Sequence, residues 1–171
     1  MKAEISAMTQ GERLVAVLRV RGPSGLSGKI EKTFSMLSLS RPNALALAPS
    51  SKTVLGMLNK LKPYIVWGEI SKETLLILLE TQGRTGKPSM LTQEMIEEIG
   101  CDSFKTLAER IHDNPKILKD LASGGVETVF RLHPSRKGFD RSTKALAGTG
   151  GQAGYIGARI NQLISEMVQG G

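Results

Sequence analysis

Aromatic residues make up only 4% of this 171-residue chain, so any core must be aliphatic. The same scarcity argues against a single-strand binder that stacks successive bases on ring platforms. A single cysteine, Cys101, excludes an internal disulfide framework and suits a reducing compartment. The two histidines, His112 and His133, stand too far apart in sequence for zinc-ligand spacing, so neither a metal nor a cofactor is expected. No run of about 18 apolar residues is present to span a bilayer. The opening MKAEISAMTQGE carries two carboxylates and no apolar centre, unlike a secretory leader. A soluble, cytoplasmic protein is the expectation.

Positive charge is plentiful, and it is unevenly placed. The net charge is +7 and the pI about 9.7. Residues 1–62 hold ten Lys/Arg against three Asp/Glu, a block of +7. Residues 63–128 hold seven against eleven, −4, and residues 129–171 hold six against two, +4. Two basic ends around an acidic middle suggest a surface that neutralises a polyanion, RNA above all.

The pattern predicts an α+β protein. Residues 14–20 alternate as a strand, with Leu14, Ala16, Leu18 and Val20 on one side and Val15 and Val17 on the other. Arg19 and Arg21 are expected to extend from its end into the loop GPSGLSG. Residues 29–39 read as a helix with Ile30, Phe34 and Leu37 on one stripe, stopped at Arg41-Pro42-Asn43. Residues 44–48 form a short strand. Pro49-Ser50-Ser51 starts a second helix, expected to bury Val54, Met57, Leu58 and Leu61 and to expose Lys52 and Lys60. Residues 64–70 complete a β-α-β-α-β unit covered by two helices.

Beyond it the period changes. Ser71, Thr92 and Ser103 are placed to cap helices, and Phe104, Leu107, Ala108 and Ile111 follow helical spacing. A short helix carries Ile117, Leu118 and Leu121, and residues 126–132 look extended. Residues 133–154 are basic and glycine-rich, and Ile156, Ile160, Leu163, Ile164 and Met167 mark a terminal helix. The chain divides into an arm (1–12), a β-α-β-α-β core (13–70), an acidic helical region (71–125) and a basic loop with terminal helix (126–171).

Three motifs carry chemistry. GPSGLSGK, residues 22–29, sits between strand and helix, but five residues separate Gly22 from Gly28 and Ile30 replaces the magnesium-binding hydroxyl, so a nucleotide site is not expected. The loop suits either an RNA phosphate, with Arg21, Ser24 and Lys29 beside the amides of the helix start, or a plain turn. GTGGQA, residues 148–153, matches a loose dinucleotide pattern with no strand expected before it. A mobile segment that settles on a partner fits better. FRLHPSRKGF, residues 130–139, anchors Phe130 and Leu132 and projects Arg131, His133, Arg136 and Lys137, with Arg141 and Lys144 extending the basic stretch. Guanidinium and ammonium groups in this density bind phosphates, and such contacts carry no direct sequence information.

Catalysis finds little support. His133 lies among cations, His112 ends a helix, Cys101 has no partner histidine, and Glu97-Glu98 read as a solvent face.

RVRGPSGLSGK, Ser40-Arg41-Pro42-Asn43, APSSKTVLGMLNKLKPYIVWGEI, RLHPSRKGF and GGQAGYIG together resemble the large-subunit ribosomal protein family called L-thirty. The form is the archaeal one, similar to eukaryotic large-subunit protein seven, and the segments occur in family order over most of residues 13–168. The resemblance implies a core related to ferredoxin-like folds and a structural role on large-subunit rRNA in the cytoplasmic ribosome. Neighbouring ribosomal proteins are possible partners, and no enzyme activity, cofactor, membrane or small-molecule substrate is implied. Residue by residue, it places RNA contacts at Arg19, Arg21, Lys29 and Arg41, at Lys52 and Lys60 on the second helix, and at Arg131, His133, Arg136 and Lys137 in the late basic loop. Ser24, Lys32, Arg141 and Lys144, from the reading of the residues themselves, complete the expected RNA-binding set. Ser38 and Ser40 stand where the family often carries more positive charge. The rival reading is a protein-interaction module of a ribonucleoprotein without direct RNA contact.

Overall fold

The computed structural model describes residues 12–85, 89–134, 142–146 (backbone only) and 151–169. Six strands form one mixed sheet: β1 (Leu14–Arg19), β2 (Ala44–Pro49), β3 (Ile65–Glu69), β4 (Val129–Arg131), β5 (Ser142–Leu146) and β6 (Gly151–Tyr155). Their order is β4-β2-β1-β3-β6-β5. The first four strands in that order pair antiparallel, with Val17 opposite both Ala46 and Trp67, whereas β6 runs parallel to β3 and to β5. The helices are α1 (Gly28–Met36), α2 (Lys52–Leu61), α3 (Lys72–Gln82), α4 (Gln93–Glu98), α5 (Phe104–Asp113), α6 (Ile117–Ser123) and α7 (Arg159–Val168).

The alternation in β1 divides the core. Leu14, Ala16 and Leu18 face a large cluster with Leu45, Val66, Leu75, Leu107 and Ile164 from the later helices. Val15 and Val17 face a smaller one with Phe34, Leu58, Ile65 and Trp67 under α1 and α2. All six residues of β1 are buried, as a central strand covered on both faces requires. Serine caps start three helices: Ser51, Ser71 and Ser103 accept from the amides of Val54, Thr74 and Thr106. Thr92 precedes α4 without such a bond. In α2 the buried stripe is Leu55, Leu58 and Leu61, rotated from the expected one, so Val54 and Met57 are only half-buried. Of residues 126–132 only Val129–Arg131 is strand, and Val126 bridges instead to Thr85.

The largest departure lies in the glycine-rich stretch. Residues 151–155 are a strand in the sheet, and a strand, β5, does precede GTGGQA. GQAGY has none of the β-branched density that marks a strand. Contacts to β3 hold it. Tyr155 donates to Glu69 Oε1 at 2.9 Å, and its ring lies 4.8 Å from that of Trp67. A Cβ at Gly68 would collide with the Gly157 carbonyl, so the two chains approach only because residue 68 has no side chain. Asn161 then ties α7 to the sheet end: its amide donates to the Glu69 carbonyl at 3.1 Å and its oxygen accepts from the Ser71 amide at 2.9 Å.

Candidate nucleic-acid interface

One end of the sheet collects the end of β1, the starts of β2 and β3, and the end of β4. Backbone bonds knit it together. The Arg19 carbonyl accepts from Asn43, the Asn43 carbonyl accepts from Leu132, and Val20 donates to Tyr64. Asn43 adopts a φ of 60°, a left-handed conformation that asparagine tolerates better than most residues. Both ends of α1 join this same sheet end, since the helix connects β1 to β2.

Arg41 and Arg131 are exposed there and line one groove of about 530 Å³, together with Ser38, Ser40 and Asn43; Glu127 lines it too. Arg21 and Ser24 line a separate recess of about 410 Å³ with Gly22, Gly25 and Tyr64. The Arg21 guanidinium sits 5.7 Å from the Tyr64 ring centre, close enough for a cation–π contact. Lys29 and Lys32 are exposed on α1, Lys60 is exposed on the last turn of α2, and His133 is exposed just beyond β4. Among the described residues, no ion pair engages Arg21, Lys29, Lys32, Arg41, Lys60 or Arg131. The Lys/Arg–carboxylate pairs among the described residues are Lys72–Asp113 and Lys116–Glu12, in the helical half and at the start of the described chain.

Two expected contacts are placed otherwise. Arg19 does not extend into the loop: it is 3% exposed, and period two puts it on the same face as Val15 and Val17. Its Nη1 donates to the Leu39 carbonyl at 2.7 Å and to Ser40 at 2.9 Å, and its Nε donates to Arg21 at 2.9 Å. The guanidinium stacks 4.1 Å from the Phe34 ring centre, and Phe34 meets Tyr64 edge-on. Burial pushes its pKa below the ordinary arginine value, and Glu31 acts in the opposite direction. Arg19 thus shapes this end from inside, and at 3% exposure its guanidinium is not presented to a phosphate. Lys52 opens α2 next to Ser50, whose amide donates to Arg13, at the opposite end of the sheet. Along the helix it stands about 12 Å from Lys60. Arg136, Lys137 and Arg141 lie outside the described residues, as does the side chain of Lys144.

Sequence reasoning passed over Tyr64, which seats Arg21, and Lys62, whose stem meets the position a Cβ would take at Gly154. The run Lys60-Leu61-Lys62 was the available signal for the latter. Among the described residues, no group of three His, Cys, Asp or Glu could hold a metal ion. No helix there is long and apolar enough to cross a membrane. Cys101 is a buried thiol accepting from Arg110 Nη1 at 3.3 Å.

The class that fold and site define is a basic α+β protein with a cationic sheet end. The family model for Ribosomal protein L30p/L7e matches residues 15–65, from the central strand to the start of β3. Large ribosomal subunit protein uL30 of Nanoarchaeum equitans (strain Kin4-M) is 40% identical over 152 residues, 88% of this chain and 96% of that protein. The uL30 of Methanococcus maripaludis (strain C5 / ATCC BAA-1333) is 39% identical over 154 residues, 90% of this chain and 98% of that protein. That of Ignicoccus hospitalis is 38% identical over 159 residues, 92% and 99% of the two chains. This chain belongs to the L30p/L7e family of ribosomal proteins, a structural and non-enzymatic family.

Proposed function

We propose that the chain is a structural constituent of the large ribosomal subunit, in the cytoplasm, and that it binds large-subunit rRNA through the cationic end of its sheet. The observation that carries this reading is the convergence of Arg41 and Arg131. Ninety positions apart in sequence, they line one groove and have no ion-pair partner among the described residues. Arg21, Ser24, Lys29, Lys32, Lys60 and His133 extend the surface, and Arg136, Lys137, Arg141 and Lys144, which follow β4 in sequence, are proposed to add to it. Guanidinium groups at this spacing fix backbone phosphates in position without reading bases, which is scaffolding.

The test is rRNA binding measured across salt for Arg41→Ala with Arg131→Ala. Each lost phosphate contact lowers the log–log slope by roughly 0.7–0.9. Lys52→Ala, at the other end of the sheet, leaves the slope unchanged. A double variant that keeps the wild-type slope would assign assembly to protein contacts and overturn the RNA reading.

A further inference from the structure

The acidic helical region carries a second concave surface, which borders the groove of Arg41 and Arg131 at Gly125 and Val126. It has two halves that meet at Ile99 and Gly124. One, of about 200 Å³, is walled by Leu107, Ile117 and Leu121; the other, of about 380 Å³, by Met95 and Val126. Leu107, Leu121 and Val126 form a buried floor, while Met95, Ile99 and Ile117 are half-exposed. Gly125 turns the chain at the groove's edge with a φ of 86°, a left-handed conformation that favours glycine.

Among the described residues, the charged ones lining this groove are Glu98, Asp120 and Arg110. The arginine is held by its own protein, donating to the Gly100 carbonyl at 2.9 Å and to Cys101. Glu94, Glu97 and Asp102 stand exposed on α4 and the turn after it. A phosphate backbone brought here would meet carboxylates, and among the described residues no aromatic ring lines the walls to stack a base.

We propose that this groove docks a basic, amphipathic segment of another protein, with aliphatic side chains seated on Met95, Ile99 and Ile117 and Lys/Arg facing Glu98 and Asp120. Aliphatic anchors one helical turn apart, flanked by charge of the opposite sign, are the recognition mode that such a groove fits. Charge complementarity selects the occupant, because a chain of net charge +7 attracts a cationic segment only through a local acidic patch. This does not rest on the RNA reading, whose groove is lined by Arg41 and Arg131 and borders this one at Gly125 and Val126.

The full chain is titrated into a fluorescein-labelled 18-residue Leu/Lys peptide with helical Leu spacing and followed by anisotropy. Saturable micromolar binding is expected, with none for the same peptide carrying Glu in place of Lys. Glu98→Lys with Asp120→Lys, and separately Ile99→Ser, each weaken it by about tenfold. In the unaltered protein, methyl NMR shifts on titration concentrate at Ile99, Ile117 and Leu121, a readout that needs no variant to fold. Absence of saturation, equal binding of the Glu peptide, unchanged affinity in the variants, or shifts confined elsewhere would overturn the proposal. Loss of rRNA binding in Ile99→Ser would make RNA the occupant, and loss of self-association would make it a second copy; either outcome overturns it.

Discussion

Arg19 shows how one buried cation can organise an exposed cationic surface. Its three hydrogen bonds gather the end of β1, the chain after α1 and the turn at Arg21, so Arg21 and Arg41 are presented from a fixed frame. A lysine cannot replace it, because an ammonium lacks the planar fork that reaches three carbonyls at once. Arg19→Met leaves those carbonyls without their donor, and hydrogen bonds to charged groups are worth about 1.5–3 kcal/mol each. The expected loss of stability is at least about 2 kcal/mol, read as a lower urea midpoint at unchanged m. The salt slope of rRNA binding by the folded variant stays that of the parent. A reduced slope at full stability would instead make Arg19 a phosphate contact.

At the scale of elements, the sequence announces most of what folds. β1 to β3 show apolar alternation or runs, and Ser51, Ser71 and Ser103 signal their helices in the letters. β5 and β6 were not legible, because what makes residues 151–155 a strand is the absence of a side chain at Gly68 and the Tyr155–Glu69 bond. Both are tertiary facts. The pairing of α3 with α5 is equally invisible. Lys72 opens α3 and Asp113 closes α5, each at the helix end where the dipole disfavours its charge, and they meet at 2.7 Å. Hydrogen bonds from Lys72 first, then His112, hold the Asp113 carboxyl below its ordinary 3.8. A depressed carboxylate stabilises the fold above its unfolded value, and that contribution disappears as pH falls through the lower folded one. Asp113→Asn therefore lowers Tm slightly at neutral pH and low salt. The gap to the parent closes as pH drops below 3.8, and a gap that persisted there would remove the pair as its cause.

For the whole molecule, charge and core divide the chain along different lines. The blocks of charge separate residues 63–128 from the rest, yet the large hydrophobic cluster joins Leu18 and Leu45 of the sheet to Leu75, Leu107 and Ile164 of the helices. This is also why the candidate site was only half legible. The cations stood out as clusters, but their meeting depends on β4 returning, after the acidic middle, to pair Arg131 with Ala44. A shared core makes the unfolding of the two halves one event. Trp67, the single tryptophan, reports on the small cluster across the sheet from the terminal helix. Ile164→Ala removes buried methyl groups from the far side and costs about 2–5 kcal/mol. If the halves are coupled, Trp67 fluorescence and far-UV circular dichroism shift to the same lower midpoint. A tryptophan transition that stayed in place while the helical signal moved would show that the charge blocks are separate folding units, with the cationic sheet end able to stand without the helices behind it.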